Sequence, residues 1–160
     1  YMAKAGLVLF AEVKGTQPSA IAAGYKVLPS ADGGRRRMFF AEYLNGASTL
    51  AIADTIYLGD LPKGARICKD WVVSFSTGTA SCTIDVGFRA KDDGTVIDVD
   101  GIAALVAVTT AGQSGLNNGS SLTAGLSYVT TEVVEVYATV RAAVLAANQK
   151  LIIEGSYVQD

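Results

Sequence analysis

Apolar and polar residues alternate in several short segments of the chain, a pattern that predicts β-strands with one buried face. The other segments are expected to be arranged around residues 53–67 and the hairpin that follows them. Four apolar side chains near the start of this stretch are spaced to share one face of a strand: Leu50, Ile52, Ile56 and Leu58. Gly59 interrupts that strand. The Leu-Pro-Lys-Gly sequence at residues 61–64 then predicts a turn, because proline presets φ and glycine supplies a positive φ.

The next two alternating segments predict a β-hairpin whose register is set by its apolar residues. A slip of one residue would move a whole apolar set to the wrong face of the sheet. One register keeps six side chains on the core face by forming three facing pairs: Phe75 with Cys82, Val73 with Ile84, and Trp71 with Val86. We therefore expect this hairpin, with Trp71 as the largest buried side chain.

Further alternating segments raise the predicted number of strands to about eight, at spacings typical of a β-sandwich or a jelly roll. The clearest of them are residues 126–129 and 133–140, and residues 151–158 are expected to form the last strand. The expected fold class is all-β and antiparallel. Residues 1–24 are expected to form an N-terminal arm or first strand, and residues 25–160 the β-sandwich domain.

One segment does not alternate clearly. Residues 101–111 could begin a short helix with Asp100 as its N-cap, or could form a buried strand; we favour the short helix. Residues 112–121 are rich in glycine, serine and asparagine and predict an exposed polar loop. The glycines of this loop match neither of the common phosphate-binding patterns.

Composition limits the classes of function. The chain has 160 residues, which suggests one domain, and 50% of them are hydrophobic and 18% charged, as expected of a folded protein. A net charge of −2 provides no basic field to attract nucleic acid or an anionic membrane. The longest uncharged apolar segment, residues 102–108, is far shorter than a membrane span. Charged residues interrupt the apolar residues 6–13, so we expect no signal peptide there.

The chain contains no histidine, which removes the commonest general base and a common metal ligand. We expect neither catalysis nor a cofactor. The two cysteines, Cys68 and Cys82, would lie on opposite faces of the predicted hairpin and about 20 Å apart along it. A disulfide requires Cα atoms within about 7 Å. Both are therefore predicted to be free thiols in a reducing compartment, with an intermolecular disulfide as the alternative.

Two charged clusters are candidates for binding. Arg35, Arg36 and Arg37 could form ion pairs with an acidic partner or with phosphate, or they could simply solvate the edge of a strand, which is the commoner role. A second cluster is acidic and suggests a calcium site: Asp92, Asp93, Asp98 and Asp100. Its spacing does not match an EF-hand loop, so we expect these carboxylates to solvate a turn.

Three segments carry a family resemblance. Residues 54–67 resemble the D-x-I-x-L-G-x-L-P-x-G-A-x-I stretch of small virion proteins of tailed bacteriophages. Residues 81–88 are similar to the x-T-x-x-V-G strand of those proteins, and residues 148–158 to their final strand, which ends in an aromatic-Val pair. The match extends in order over roughly residues 53–158 and leaves the first fifty residues largely uncovered.

The resemblance implies a capsid decoration (cement) protein. Such a protein would be a β-sandwich, often a homotrimer, made in the host cytoplasm and bound to the major capsid protein on the outside of the virion. It supplies no active-site residues. The expected shell-facing surface comprises the N-terminal residues 7–24 and the arginine triplet, with six candidate contact residues: Leu7, Val8, Phe10, Arg35, Arg36 and Arg37.

Other functions remain open from the sequence. One is a carbohydrate- or receptor-binding β-sandwich, for example a head fibre, which would need exposed aromatic side chains. The candidates for such a platform are Tyr25, Tyr43, Tyr128 and Tyr137. A tail or neck subunit of the same virus is another alternative that the sequence does not separate from a capsid role.

Overall fold

The computed structural model describes residues 35–124 and 128–159. These residues form nine strands and one short helix. The elements, in chain order, are β1 (Arg35–Leu44), β2 (Thr55–Leu61), β3 (Ala65–Ile67), β4 (Val72–Phe75), β5 (Thr83–Ala90), β6 (Val96–Ala107), β7 (Gly112–Gly115), α1 (Ser120–Thr123), β8 (Val134–Arg141) and β9 (Lys150–Gln159). The expected boundary between an N-terminal arm and the sandwich, at residues 24 and 25, lies outside the described residues.

The strands form two antiparallel sheets with the hydrophobic core between them. The first sheet has the order β1-β9-β4-β7, and β3 also pairs with β9, alongside the half of that strand that β4 leaves free. The second sheet has the order β2-β8-β5-β6. The prediction of an all-β antiparallel sandwich is therefore confirmed. None of the described helical residues forms a segment long and apolar enough to cross a lipid bilayer.

The predicted hairpin is wrong in its pairing, although its core face is right. Strand β4 pairs with β9 and β7 in one sheet, whereas β5 pairs with β6 and β8 in the other. Val73 and Ile84 are both fully buried, but in different layers of the sandwich. Alternation reports which face of a strand is buried, and it does not report which strand lies beside it.

The segment between β4 and β5 therefore crosses from one sheet to the other, and a buried amide holds it in place. Gln149 is only 1% exposed, and its Nε2 donates hydrogen bonds to the carbonyl oxygens of Ser76 at 3.1 Å and Val108 at 2.7 Å. A Cβ at Gly78 would lie 2.3 Å from that nitrogen. The crossing thus requires glycine at this position and a satisfied polar side chain in the core.

The central stretch also differs from its prediction. Strand β2 begins at Thr55, because Ala53 has a φ of 74° that ends any extended segment before it, and Ile52 is exposed. A bulge between Tyr57 and Gly59 then shifts the register against β8. The predicted turn is present one residue later than expected: the Ala65 amide donates to the Pro62 carbonyl at 3.3 Å, and Gly64 has a φ of 81°.

The short helix lies at a different place from the one predicted. Residues 101–107 continue β6, whose register against β5 shifts at several points, and Leu105 has a φ of 50°. These irregularities blur the alternation that normally marks a strand. The helix is α1 (Ser120–Thr123), and the segment predicted to be a polar loop also contains β7.

The largest buried side chain is Trp71, as predicted. Its indole Nε1 donates a hydrogen bond to the Ser156 carbonyl at 3.0 Å, and its ring stacks on Phe39 with a centroid distance of 4.8 Å. The ring lies directly on the backbone of β9, because a Cβ at Gly155 would be 2.2 Å from its nearest ring atom. Glycine at 155 is therefore a packing requirement.

We expect Gly155→Ala to displace the Trp71 ring and to lower the free energy of unfolding by about 1–3 kcal/mol, the usual cost of overpacking a core. Trp71 is the only tryptophan, so its fluorescence reports this site alone. Urea unfolding and a red shift of the native emission would measure the effect. Gly46→Ala is the matched control, because a Cβ there meets no atom within 4 Å. Equal stability of the two variants would contradict the packing argument.

Candidate binding surface

Strand β1 is an edge strand of the first sheet as far as the described residues show. It pairs along its whole length with β9, from Arg35 opposite Gln159 to Leu44 opposite Lys150, without a bulge. No described strand pairs with its other side. This edge is therefore ten residues of regular strand whose outer backbone groups are not paired by any strand of residues 35–124 and 128–159.

The outward side chains of β1 include large apolar groups. Phe39 and Ala41 point into the core, whereas Met38, Phe40 and Leu44 are 71%, 61% and 64% exposed. We call the five outward residues the β1 face: Arg36, Met38, Phe40, Glu42 and Leu44. An exposed apolar surface of this kind is a candidate contact site.

The β1 face continues across the sheet into β9 and β4. Ile152, Val158 and Val72 are half-buried on the same side, because facing residues of an antiparallel pair share a face. Glu42 forms an ion pair with Lys150 at 2.8 Å, and both side chains are about half exposed. An exposed pair of this kind contributes little to stability and rearranges easily.

The predicted arginine triplet forms the first three residues of β1, and all three are exposed. Arg36 lies opposite Val158, and Arg66 of β3 lies on the other side of Val158, so two arginines flank one apolar residue. Arg36 also approaches Asp70 at 3.6 Å, and the Asp70 carboxylate accepts hydrogen bonds from the Ser156 hydroxyl. The triplet thus lies on the edge strand, as both of its suggested roles require.

The three other candidates, Leu7, Val8 and Phe10, lie outside the described residues. Within β1 the sequence pattern predicted only the arginines as contact residues and did not predict the exposed apolar part of the β1 face. A signal for it was present: adjacent phenylalanines at positions 39 and 40 of an alternating strand must point to opposite faces. One of the two therefore had to be outside the core.

The outer face of the second sheet is different, because its charges are paired with one another. Arg89 bonds Glu135 and Arg141 bonds Asp85, each at 2.7 Å. The Arg89 guanidinium also lies 5.1 Å from the centre of the Tyr137 ring. These pairs satisfy the charges within the molecule and leave few of them for a partner.

Three hydroxyl groups on this sheet are buried without a hydrogen-bond partner among the described residues: those of Thr83, Tyr137 and Thr139. Burial raises the pKa of Tyr137 above its ordinary value, so the phenol stays neutral. These groups lie on the strands that carry the ion pairs, and they do not converge with a set of metal ligands.

The acidic cluster predicted as a possible calcium site is spread over β6 and the turn before it. Asp92 and Asp93 are exposed, and the Asp93 carboxylate accepts the Thr95 amide at 2.9 Å. Asp98 and Asp100 both accept the Ser120 hydroxyl, at 2.7 and 2.9 Å. Within the described residues, no three carboxylates or thiols come together as metal ligands.

The carboxylate of Asp98 instead joins α1 to β6. Burial opposes its ionisation, but the hydroxyls of Ser121 and Ser120 donate to it and hold its pKa below the ordinary value. A helix of four residues could not persist alone, so these bonds help to fix it on the sheet.

We expect Asp98→Asn to reduce stability at neutral pH and to change the pH dependence of unfolding. The folded-state pKa is the lower one, so the ionised carboxylate adds stability above about pH 4, the ordinary range, and loses it as the pH falls through the folded value. The difference between native and variant proteins in urea unfolding should therefore shrink between pH 6 and pH 3.

Ser120→Ala combined with Ser121→Ala should reproduce much of that change, because it removes the two hydroxyl donors. A stability difference that stays constant from pH 6 to pH 3 would show that the Asp98 charge is not the cause.

The two cysteines are separate. Cys82 is fully buried immediately before β5, and burial raises the pKa of its thiol. Cys68 is half-buried beyond the end of β3, where its backbone amide donates to the Ser156 carbonyl. Both are free thiols in the structure.

The tyrosines considered for a sugar platform are not exposed together. Tyr137 is buried, Tyr43 is half-buried, and Tyr128 is half-buried and stacks on Phe88 at 4.6 Å. Tyr25 lies outside the described residues. Among the described residues, the most exposed aromatic side chains are instead Phe40 and Tyr57, on different sheets.

The fold is similar to that of chains in solved bacteriophage capsids. A chain in the capsid of Ralstonia phage GP4 matches with a TM-score of 0.63 and 22% identity, over 79% of this chain and 86% of that one. A chain in the capsid asymmetric unit of cyanophage Pam1 matches with a TM-score of 0.50 and 14% identity, over the same shares. No protein-family model and no curated protein sequence matches this chain. At these identities the likeness establishes the shared β-sandwich.

Proposed function

We propose that this chain is a virion structural protein that decorates and stabilises a bacteriophage capsid by binding across shell subunits. The observation that carries the proposal is the fold match to a chain of the GP4 capsid, which extends over most of both chains. The residues quoted above from the central stretch to the last strand resemble small phage virion proteins in the same order, which supports the same class.

The β1 face and the arginines beside it supply the chemistry of such a contact. Met38 and Phe40 offer apolar area, and Arg35 and Arg37 offer charge that no described acidic side chain neutralises. Protein interfaces combine these features, with an apolar centre and a polar rim. The major capsid protein is the proposed partner, bound from outside the shell.

Stabilisation would follow from mass action. A protein that binds the assembled shell and not the separate subunit shifts the equilibrium towards the shell. Many copies, each with weak contacts, would hold together through multivalency. This role needs a rigid body and no chemical step, so we propose that the chain acts by binding without catalysis. Homotrimer formation remains part of the proposal.

The glycan-binding alternative is less favoured. It requires several aromatic rings on one accessible surface, whereas the described tyrosines of the predicted platform are buried or half-buried. We therefore propose only the capsid role.

Electron microscopy of the parent particle tests the proposal directly. We expect density for this fold on the outer surface of the shell, in contact with at least two subunits. Density confined to the tail or the neck would overturn the capsid role, while leaving the chain a virion protein.

We expect Arg37→Glu to lower the occupancy of this protein on shells stripped of it by about tenfold or more at low salt, since a reversed charge replaces attraction with repulsion at an acidic partner. Lys91→Glu, in the turn between β5 and β6 and away from the β1 face, is the charge-reversal control and should bind like the native chain. Occupancy is measured by quantitative gel analysis of sedimented particles. Equal occupancy of both variants would exclude the arginines from the contact.

A further inference from the structure

We propose that β1 also pairs with β1 of a second copy of this chain, antiparallel and about a two-fold axis at Phe39. The two first sheets would then join into one continuous sheet across the contact. This inference does not depend on the capsid role, and it is testable on the isolated full-length protein.

The first observation is the open edge itself. Ten consecutive residues of β1 pair in regular register with β9 and leave the other row of backbone groups unpaired by any described strand. Long regular edges with exposed apolar residues bind other strands unless they are blocked by proline, bulges or inward charges. β1 contains no proline and no bulge, and the two charged residues on its inward side, Arg35 and Arg37, are confined to its exposed first three residues.

The second observation is the order of side chains on the β1 face, which indicates that the strand bound at this edge is β1 of another copy. Along the strand this order is one positive, two apolar and one negative: Arg36, Met38, Phe40 and Glu42. When the strand is reversed against itself about Phe39, Arg36 faces Glu42 and Met38 faces Phe40. The axis makes each pair occur twice, so the strand is complementary to its own antiparallel copy.

Other self-pairings fit less well. A parallel, in-register pair would place Arg36 against Arg36 and Glu42 against Glu42, which is unfavourable for like charges. An antiparallel pair centred on Phe40 would place Met38 against Glu42 and Arg36 against Leu44. Only the register centred on Phe39 matches both charges and both apolar groups.

The existing ion pairs extend this match. Arg36 already approaches Asp70, and Glu42 already bonds Lys150, within one copy. Bringing Arg36 of one copy to Glu42 of the other would create a row of four charges of alternating sign, twice. These side chains are all substantially exposed, so they can adjust without disturbing the core.

The contact should be weak and concentration-dependent, because a strand-to-strand interface is small. It is also distinct from a trimer contact. A two-fold pair uses the same patch on both copies, whereas a closed trimer needs two different patches.

Analytical ultracentrifugation of the native protein over a range of concentrations should show a monomer–dimer equilibrium. Arg36→Glu and Glu42→Arg, each alone, should weaken self-association by about tenfold or more, because two attractive pairs become repulsive. Arg66→Glu, on the same face but two strands away, is the control and should dimerise normally.

The decisive experiment is to mix the two single variants. Arg36→Glu has two glutamates on its β1 face and Glu42→Arg has two arginines, so each repels itself. A mixed pair, however, has two attractive contacts, and the mixture should form a heterodimer. The double variant R36E/E42R should dimerise like the native chain. A folding defect could not produce either rescue.

Phe40→Lys provides an independent check, since it places a charge in the apolar centre at a side chain that is 61% exposed. It should abolish the dimer and leave the unfolding transition unchanged.

The proposal is overturned if the native chain stays monomeric, if it forms trimers that the charge reversals do not affect, or if the mixed variants fail to associate. If the native chain is monomeric and requires Arg36 to bind empty shells, then β1 contacts the shell protein and not a second copy.

Discussion

The contact between the Trp71 ring and the backbone of Gly155 is the constraint on which the first sheet depends. β9 is the strand with which β1, β3 and β4 all pair, and Trp71 lies across its middle with no room for a side chain between them. Phe39 of β1 stacks on the same ring, and the indole nitrogen bonds the Ser156 carbonyl. One side chain thus fixes the position of β9, and the inward orientation of Phe39 in turn directs Phe40 outward.

The alternation in the sequence predicted correctly which side chains of a strand face the core, but it did not predict which strands pair with one another. Trp71, Val73, Ile84 and Val86 are all buried as expected, because period-two alternation follows directly from strand geometry. The predicted hairpin is wrong because β4 pairs with β7 and β9, which lie far away in sequence, whereas β5 forms a hairpin with the following strand β6. Local spacing carries no information about the distant partners of β4. The connection looked like a turn, and only the buried Gln149 marks it as a crossing between layers. Residues 101–107 were misassigned because the shifted register of β6 obscured its alternation.

The candidate surface was predicted only in part. The arginine triplet was visible as a charge cluster, and its place on an edge strand is one of the roles suggested for it. The exposed Met38 and Phe40 were not identified, because hydrophobic residues in a strand are expected inside the core. Recognising them needs the knowledge that β1 is an edge strand and that Phe39 already fills the inner position, and both facts come from the assembled sheets.

The two outer faces of the sandwich differ in how their charged and apolar side chains are arranged. The second sheet pairs Arg89 with Glu135 and Arg141 with Asp85, so its charges are largely neutralised within the molecule. The first sheet has an edge that no other described strand covers, and it has exposed apolar groups with charges at positions that only some partners can match. An open edge of this length would bind strands indiscriminately if it were wholly apolar. The positive residue before the apolar pair and the negative residue after it restrict it to a strand of opposite order, which turns an aggregation hazard into a selective contact.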